Sequence, residues 1–486
     1  MNFSNKIKFA ICGISPLIVS NVVAKTNNTQ TLRPNILVVL CDDLGYSDVG
    51  FNGSKDIKTP VLDDLANHGT IFSSAYVAHP FSGPSRASIM TGRYSQFIGA
   101  PFNLSDDTED IREGVPVTET FISKVLQKSG YYTSAIGKWH LGYDKQFQPN
   151  SRGFDDFYGF LGGGHNYFPK QYKTAYQKQL NVGKKNIFVY ITPLLHNREK
   201  ANENDEYITD NFSHQAIRVV NEAAEMKKPF FMYLAYNAPH VPLEAKEEDM
   251  AKFSEIKDIK RRTFAAMVYA VDRGVGEIVK TLKANHQFEN TLIVFLSDNG
   301  ANIEHGGTNF PLKGTKGDTW EGGYRVPMFF HWPNVIPSGK RFDYPVSSLD
   351  FYPTFTKLAG GKIPKGKILD GKDIWNDVIT GKNPRKGQMI YAVRYRNGFT
   401  DVGARKDDWK IVKFFKAPWK LFNITEDISE RNDLSAKYPE KVEQMVSETE
   451  KWSRGHVTPL WFNTEKEKII WFETGMPNYK ETFKLP

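Results

Sequence analysis

Asn35-Ile36-Leu37-Val38-Val39-Leu40 is an unbroken apolar run that ends in Cys41-Asp42-Asp43. A strand with one wet face alternates apolar and polar residues, so a run without a polar break belongs to a strand covered on both faces, as in a parallel sheet. The arrangement recurs twice. Pro229 to Tyr236 leads into Asn237-Ala238-Pro239-His240, and Thr291-Leu292-Ile293-Val294-Phe295-Leu296 leads into Ser297-Asp298-Asn299-Gly300. Each buried strand therefore delivers polar side chains at its carboxyl end.

Helical periodicity fills the intervals, over Thr118 to Lys128, Asp210 to Met226 and Arg262 to Lys283. Strands alternating with helices predict an α/β fold with a large, mostly parallel sheet flanked by helices, and such sheets bind ligands beyond the carboxyl ends of their strands. The tail differs. From about Gly381 it offers strand-like pieces at Met389 to Arg394 and Trp409 to Phe415, then a helix from Pro439 to Trp452 with Val442, Met445, Val446, Thr449 and Trp452 on one face. The expected organisation is a signal peptide over residues 1–24, a large domain over 25–380 that opens with a polar lead-in at 25–33, and a C-terminal α+β subdomain over 381–486.

Across its 486 residues the chain is 40% hydrophobic and 24% charged. That is enough apolar material for a large core, with a mean hydropathy of −0.47, and no run reaches the roughly 20 apolar residues of a membrane-spanning helix. The formal charge of +8 favours anionic partners. Its Lys and Arg are scattered, without zinc-finger spacing, a helix-turn-helix signature or a basic block interleaved with aromatics, so anionic carbohydrate or a small anion fits better than nucleic acid.

Lys6 and Lys8 precede an apolar stretch from Phe9 to Ala24, broken by Pro16, and Val22-Val23-Ala24 offers small residues before Lys25. This reads as a secretory signal peptide, in preference to a short membrane anchor. Bulky Ile11 before Cys12 argues against a lipoprotein. Cleavage would remove Cys12 and leave Cys41 alone, so the mature chain has no internal disulfide and the expected location is a bacterial periplasm or exterior.

Asp42 and Asp43 repel each other unless a cation lies nearby; alone, such a pair is commonly a cap or a turn. With Asp298 and Asn299 at the end of another buried strand, three carboxylates and an amide oxygen suit a hard divalent cation, Ca²⁺ or Mg²⁺, rather than zinc. Ca²⁺ is the better match because the donors are largely protein side chains. The most informative stretch runs from Phe81-Ser82-Gly83-Pro84-Ser85-Arg86 to Met90-Thr91-Gly92-Arg93. Pro84 suits the first turn of a helix, placing Ser82 just before a helix N-terminus that favours an anion; the plain alternative is a capping serine.

This stretch resembles the signature of the formylglycine-dependent sulfatases, in which Cys or Ser is followed by x-Pro-Ser-Arg and, four residues after the Arg, by Leu or Met with Thr-Gly. Ser82, Pro84, Ser85, Arg86, Met90, Thr91 and Gly92 meet every fixed position. The resemblance extends over nearly the whole mature chain. It includes Asp42-Asp43, Gly137-Lys138-Trp139-His140-Leu141-Gly142, Ala238-Pro239-His240, Ser297-Asp298-Asn299-Gly300, Lys313-Gly314-Thr315-Lys316-Gly317 and Glu321-Gly322-Gly323, and in the tail Leu421-Phe422-Asn423-Ile424 through Asp433-Leu434.

The resemblance implies an alkaline phosphatase-like fold and a sulfuric ester hydrolase. Ser82 would be oxidised to formylglycine, whose hydrated aldehyde attacks sulfur, and Asp42, Asp43, Ser82, Asp298 and Asn299 would hold the cation. Arg86 would hold the nucleophile's oxygen and Lys138 the sulfate oxygens. His140 would take a proton from the nucleophile's second hydroxyl, and His240 with Lys316 would serve the leaving alcohol oxygen. A serine at position 82 implies maturation by a radical S-adenosylmethionine enzyme before export. His165, after Gly162-Gly163-Gly164, lies where these enzymes often place a substrate contact, although a glycine-rich loop is equally a simple turn. In isolation His140 also reads as a packed histidine and Lys138 as a strand-edge cation, while His214, His305 and His331 are assigned to surface or core.

The physical demands of the reaction agree with these roles. A sulfate ester has spread negative charge and a poor leaving group, so its site needs cations on the non-bridging oxygens, an activated nucleophile in line and an acid opposite. The expected substrate is a sulfated carbohydrate, algal polysaccharide fragments such as ulvan in particular, with carrageenan and glycosaminoglycans as the other classes. A phosphodiesterase or phosphonate hydrolase of the same superfamily and a non-catalytic sulfated-glycan binder are the competing functions. A two-zinc phosphatase would need further Asp and His ligands that the chain does not offer.

Overall fold

In the computed structural model, residues 1, 33–105, 113–202, 205–396, 399–474 and 482–485 are described. The expected signal peptide beyond Met1, and most of the polar lead-in, lie outside them. The strand Asn35–Cys41 is buried along its whole length. It pairs in parallel with Phe230–Ala235 on one side and Thr291–Ser297 on the other. Leu40 is level with Ala235 and with Leu296, so the three carboxyl ends stop together. Ile36, Val38 and Leu40 face one core and Leu37 and Val39 the other, which is why the run tolerates no polar residue.

Ten strands form the sheet, in the order Lys340–Phe342, Thr70–Phe72, Met328–His331, Thr291–Ser297, Asn35–Cys41, Phe230–Ala235, Tyr132–Lys138, Asp156–Phe160, Leu195–His196 and Glu199–Lys200. The five from Thr291–Ser297 to Asp156–Phe160 are parallel, and Met328–His331 runs antiparallel beside them. Helices Ile208–Met226 and Ile259–Ala284 cover one face with Phe212, Ala216, Val219, Phe264, Val268 and Val275. Helices Ser82–Thr91, Ile122–Lys128 and Phe351–Leu358 cover the other with Met90, Val125, Leu126 and Phe355. Two buried faces also explain the two strands that periodicity did not single out. Tyr132–Lys138 and Asp156–Phe160 carry hydroxyl and acidic groups, and these are satisfied across the sheet, Ser134 Oγ donating to Asp156 Oδ2 at 2.9 Å.

The tail forms a separate four-stranded antiparallel sheet of Met389–Arg396, Phe399–Lys406, Trp409–Lys413 and Lys420–Asn423. Helix Pro439–Ser453 buries Val442, Met445, Val446 and Thr449 against it, and Trp452 stacks on Tyr391 with ring centroids 3.9 Å apart. Residues Arg33–Pro486 form one compact unit. A buried ion network links this sheet to the large domain: Lys410, inaccessible to solvent, lies 2.9 Å from Glu321 Oε1 and 2.8 Å from Glu430 Oε1. Among the described residues no helix is long and apolar enough to cross a membrane.

Candidate active site

The carboxyl edge of the sheet collects the predicted residues. Asp42 and Asp43 follow Asn35–Cys41, Asp298 and Asn299 follow Thr291–Ser297, and Lys138 ends the strand Tyr132–Lys138 with His140 two residues on. His240 lies beyond Phe230–Ala235. Helix Ser82–Thr91 rises from the other side with Ser82 as its first residue, so it begins slightly earlier than Pro84 suggests. One turn along, Arg86 points the same way. Asp43 and His140 adopt left-handed backbone, with φ of 63° and 61°. That conformation is unfavourable for a side-chain-bearing residue and is tolerated where the surroundings over-determine it.

Ser82 Oγ lies 3.1 Å from Asp42 Oδ1 and 3.1 Å from Asn299 Oδ1. The N-cap position is held by Phe81, and the Ser82 hydroxyl turns to these two side chains, which removes the plain capping reading. The Gly83 N–H donates to Asn103 Oδ1 at 2.9 Å. Asn103 carries no recognisable signal in the sequence, because a lone loop asparagine acquires this place only through folding. Asp298 divides its carboxylate: Oδ2 accepts from Arg86 Nε and Nη2 at 2.9 and 2.7 Å, and Oδ1 accepts from the Asp43 N–H at 3.2 Å. Lys138 Nζ donates to Asp42 Oδ2 at 2.6 Å and Lys316 Nζ to Asp43 Oδ2 at 2.8 Å. Asn299 Nδ2 donates to Asp43 Oδ1 at 2.7 Å.

The two histidines face this cluster in different states. His240 Nδ1 donates to the Val241 carbonyl at 2.7 Å, which leaves Nε2 toward Asp43 Oδ2, 3.7 Å away. Nδ1 of buried His140 has no hydrogen-bond partner. A Cβ on Gly163 would stand 3.0 Å from His140 Nε2, so the glycine loop lies close against the ring. His165 is not brought into the cluster. It is fully buried, each ring nitrogen 2.7 Å from a backbone carbonyl, of Asn166 and Thr192, and its ring packs edge-on to Tyr172. His214 pairs with Glu206 at the surface, and His331 packs beside Phe288.

Burial acts on every ionisable group here, and the partners decide the outcome. Burial alone would raise Asp42, yet Lys138, His240 and Arg86 hold its carboxyl below the usual range. Asp43 is likewise lowered against burial by Lys316 and His240. Burial would depress Lys316, but Asp43 and Asp42 overcome it and keep the ammonium charged. Lys138 is lowered by burial and by the neighbouring Arg86. His140 falls well below its ordinary value, first from burial and then from Lys138, Arg86 and Lys316, so its imidazole is neutral at neutral pH.

The donor set fits a hard cation. Asp42, Asp43 and His240 bring ligand atoms within 4.8 Å of one another, all buried, and Asn299 Oδ1 and Asp42 Oδ1 converge on the same hydroxyl. Oxygen donors predominate, the preference of Ca²⁺ and Mg²⁺. Cys41 contributes nothing, since it is a buried free thiol whose pKa is pushed well up by burial and by Asp298.

A buried hydroxyl ringed by acids and cations, on the carboxyl edge of a large α/β sheet, suits a hydrolase of anionic esters with alkaline phosphatase-like architecture. The comparisons narrow the class. The sulfatase family profile matches residues 34–361, and a second profile, N-sulphoglucosamine sulphohydrolase, C-terminal, matches residues 316–453. Similar curated proteins include the uncharacterized sulfatase YdeN of Escherichia coli K12, 38% identical over 84% of this chain and 78% of its own length. Mouse arylsulfatase J is 31% identical over 86% and 75%. The crystal structure of Ps i-CgsB, also solved in complex with k-i-k-neocarrahexaose, superposes with a TM-score of 0.91 at 55% identity, covering 93% of this chain and all of that one. This chain belongs to the sulfatase family and is a sulfuric ester hydrolase.

Proposed function

We infer that this sulfatase cleaves a sulfate ester of a carrageenan-type oligosaccharide. Ser82 serves as formylglycine, and one divalent cation, Ca²⁺ in preference to Mg²⁺, sits among Asp42, Asp43, Asp298 and Asn299. The observation that carries the chemistry is the position of Ser82 Oγ, 3.1 Å from both Asp42 and Asn299 oxygens. The observation that favours carrageenan is the 55% identity with Ps i-CgsB, whose structure holds a neocarrahexaose. The ulvan expectation has no comparable support. The bound cation supplies Lewis-acid polarisation. Arg86 holds the nucleophile's oxygen and Lys138 binds the sulfate oxygens, and their charges keep His140 unprotonated and able to accept a proton. Lys316, kept cationic by Asp43, offers charge to the leaving alcohol oxygen with His240 Nε2 beside it. A serine at position 82 supports maturation by a radical S-adenosylmethionine enzyme before export to the periplasm or beyond.

The test is the mass of the peptide containing residue 82 from protein co-expressed with a serine-type maturase, together with sulfate release from carrageenan and ulvan oligosaccharides. Loss of two hydrogens, or the corresponding hydrate, and release from carrageenan are expected. Full turnover by unmodified Ser82 protein overturns the nucleophile, and release from ulvan alone overturns the substrate.

A further inference from the structure

Beside the nucleophile lies a cavity of 160 Å³ whose walls include His79, Phe81, Asn103, Arg394, Arg396 and Glu467. Its place is set by chain neighbours of the catalytic groups. Phe81 precedes Ser82, and the Arg394 guanidinium stands 4.5 Å from the centre of the Phe81 ring. Arg394 Nη1 donates to the Gly317 carbonyl at 2.8 Å, next to Lys316. Gly317 has a φ of 86°, and a Cβ there would lie 2.7 Å from the Phe81 ring and 2.8 Å from Arg394 Nη1, so this approach needs glycine. The cavity is thus bracketed by the neighbours of the nucleophile and of the lysine that serves the leaving oxygen.

Its donors are only partly spent. His79, 1% exposed, accepts the Phe81 N–H on Nδ1 at 3.1 Å, which puts the ring proton on Nε2, and Nε2 has no partner. Burial and the charge of Arg394 push its pKa down to about 3, so the ring is neutral and presents one N–H. Arg394 has five N–H groups. Its side chain makes a hydrogen bond to Gly317, and among the described residues no carboxylate lies within 4.0 Å of it. Arg396 Nε holds Asp401 at 2.9 Å, and its Nη2, buried without a hydrogen-bond partner, stands 3.8 Å from Asp318 Oδ1. Glu467 supplies a carboxylate on the same wall, and burial raises its pKa. The Arg394 guanidinium and the orphaned His79 N–H, with the Glu467 carboxylate on the same lining, suit an anion carried on a hydroxylated scaffold.

We propose that this cavity binds a second sulfate group of the same substrate molecule, on the alcohol side of the scissile ester, with Arg394 and His79 as donors and Glu467 accepting from a sugar hydroxyl. The enzyme would thereby select oligosaccharides sulfated at more than one position. The proposal rests on the sulfated-oligosaccharide reading above.

Matured enzyme is assayed on two carrageenan oligosaccharides that share the scissile ester and differ in one further sulfate. Wild type is expected to favour the doubly sulfated one by about tenfold or more in KM, the scale of a charged hydrogen bond. Arg394→Met brings the ratio of the two KM values close to one, whatever it does to turnover of both substrates together, and Arg394→Lys keeps part of the preference. Equal kcat/KM for the two substrates in wild type overturns the second-sulfate pocket without any variant. So does an Arg394→Met protein of unchanged melting temperature that loses activity equally on both. No sulfate release from either oligosaccharide by matured wild type overturns the carbohydrate reading, and the pocket with it.

Discussion

Lys138 Nζ lies 2.6 Å from Asp42 Oδ2, and both side chains are sealed from solvent. Arg86 Nη2 stands 3.8 Å from the same oxygen, and the other oxygen of Asp42 meets Ser82. Asp42 therefore joins the cationic side chains to the Ser82 hydroxyl. A buried ion pair adds little net stability when complete, because desolvation offsets the attraction, but losing one partner strands a charge.

Lys138→Met should accordingly cost about 3–5 kcal/mol in unfolding free energy and lower kcat/KM by about 10²-fold or more, the scale of a lost oxyanion-type donor. Denaturant titration and sulfate release measure the two effects. Wild-type values for both would show that Arg86 alone carries the charge balance.

Chelation should abolish turnover, with Ca²⁺ restoring more activity than Mg²⁺. Because the folded state alone gathers Asp42, Asp43 and Asn299, added Ca²⁺ should also raise the melting temperature by mass action. Full activity of a chelator-treated, metal-assayed enzyme would contradict this.

At the domain junction, Lys410 neutralises Glu321 and Glu430 without access to water. Arg325 Nη1 holds Glu321 Oε2 at 3.0 Å. Lys410→Met should destabilise the chain by about 3–5 kcal/mol. Since Glu321 opens the short helix that ends the loop carrying Lys316, kcat/KM should fall as well. Calorimetry and kinetics check the pair; a stable variant with altered kinetics alone would assign the network a purely local role.

Acid should destabilise the fold through His456. Burial pushes its pKa down to about 3, while Nδ1 lies 2.8 Å from the Tyr395 hydroxyl. A depressed histidine binds its proton in the unfolded chain first. Its contribution is therefore complete above about pH 6.5 and is lost as pH falls toward 3, by up to about 1.4 kcal/mol per pH unit. Unfolding free energies measured from pH 7 to 5 should fall less steeply in His456→Gln; identical slopes would count against the effect.

Much of this architecture is legible before folding is considered. The run at Asn35–Cys41 announces its two covered faces because burial there depends only on local composition. Strand Tyr132–Lys138 does not, since its hydroxyls are satisfied by Asp155 and Asp156 more than twenty residues away. The same distinction runs through the site. Asp42, Asp298 and Ser82 sit in short motifs at element ends, whereas Asn103, His79 and Arg394 acquire their places only when distant loops meet. His165 shows the converse, a glycine-flanked histidine whose nitrogens are spent on backbone carbonyls.

The sheet ends in Glu199–Lys200 on one side and Lys340–Phe342 on the other, and Glu199, Lys200, Lys340 and Arg341 are exposed. An open ladder is a template onto which another molecule can add strand after strand. Two or three residues give an incoming chain few hydrogen bonds to gain, and charged side chains resist its approach. The protein can thus reach high local concentration without its own edges seeding aggregation.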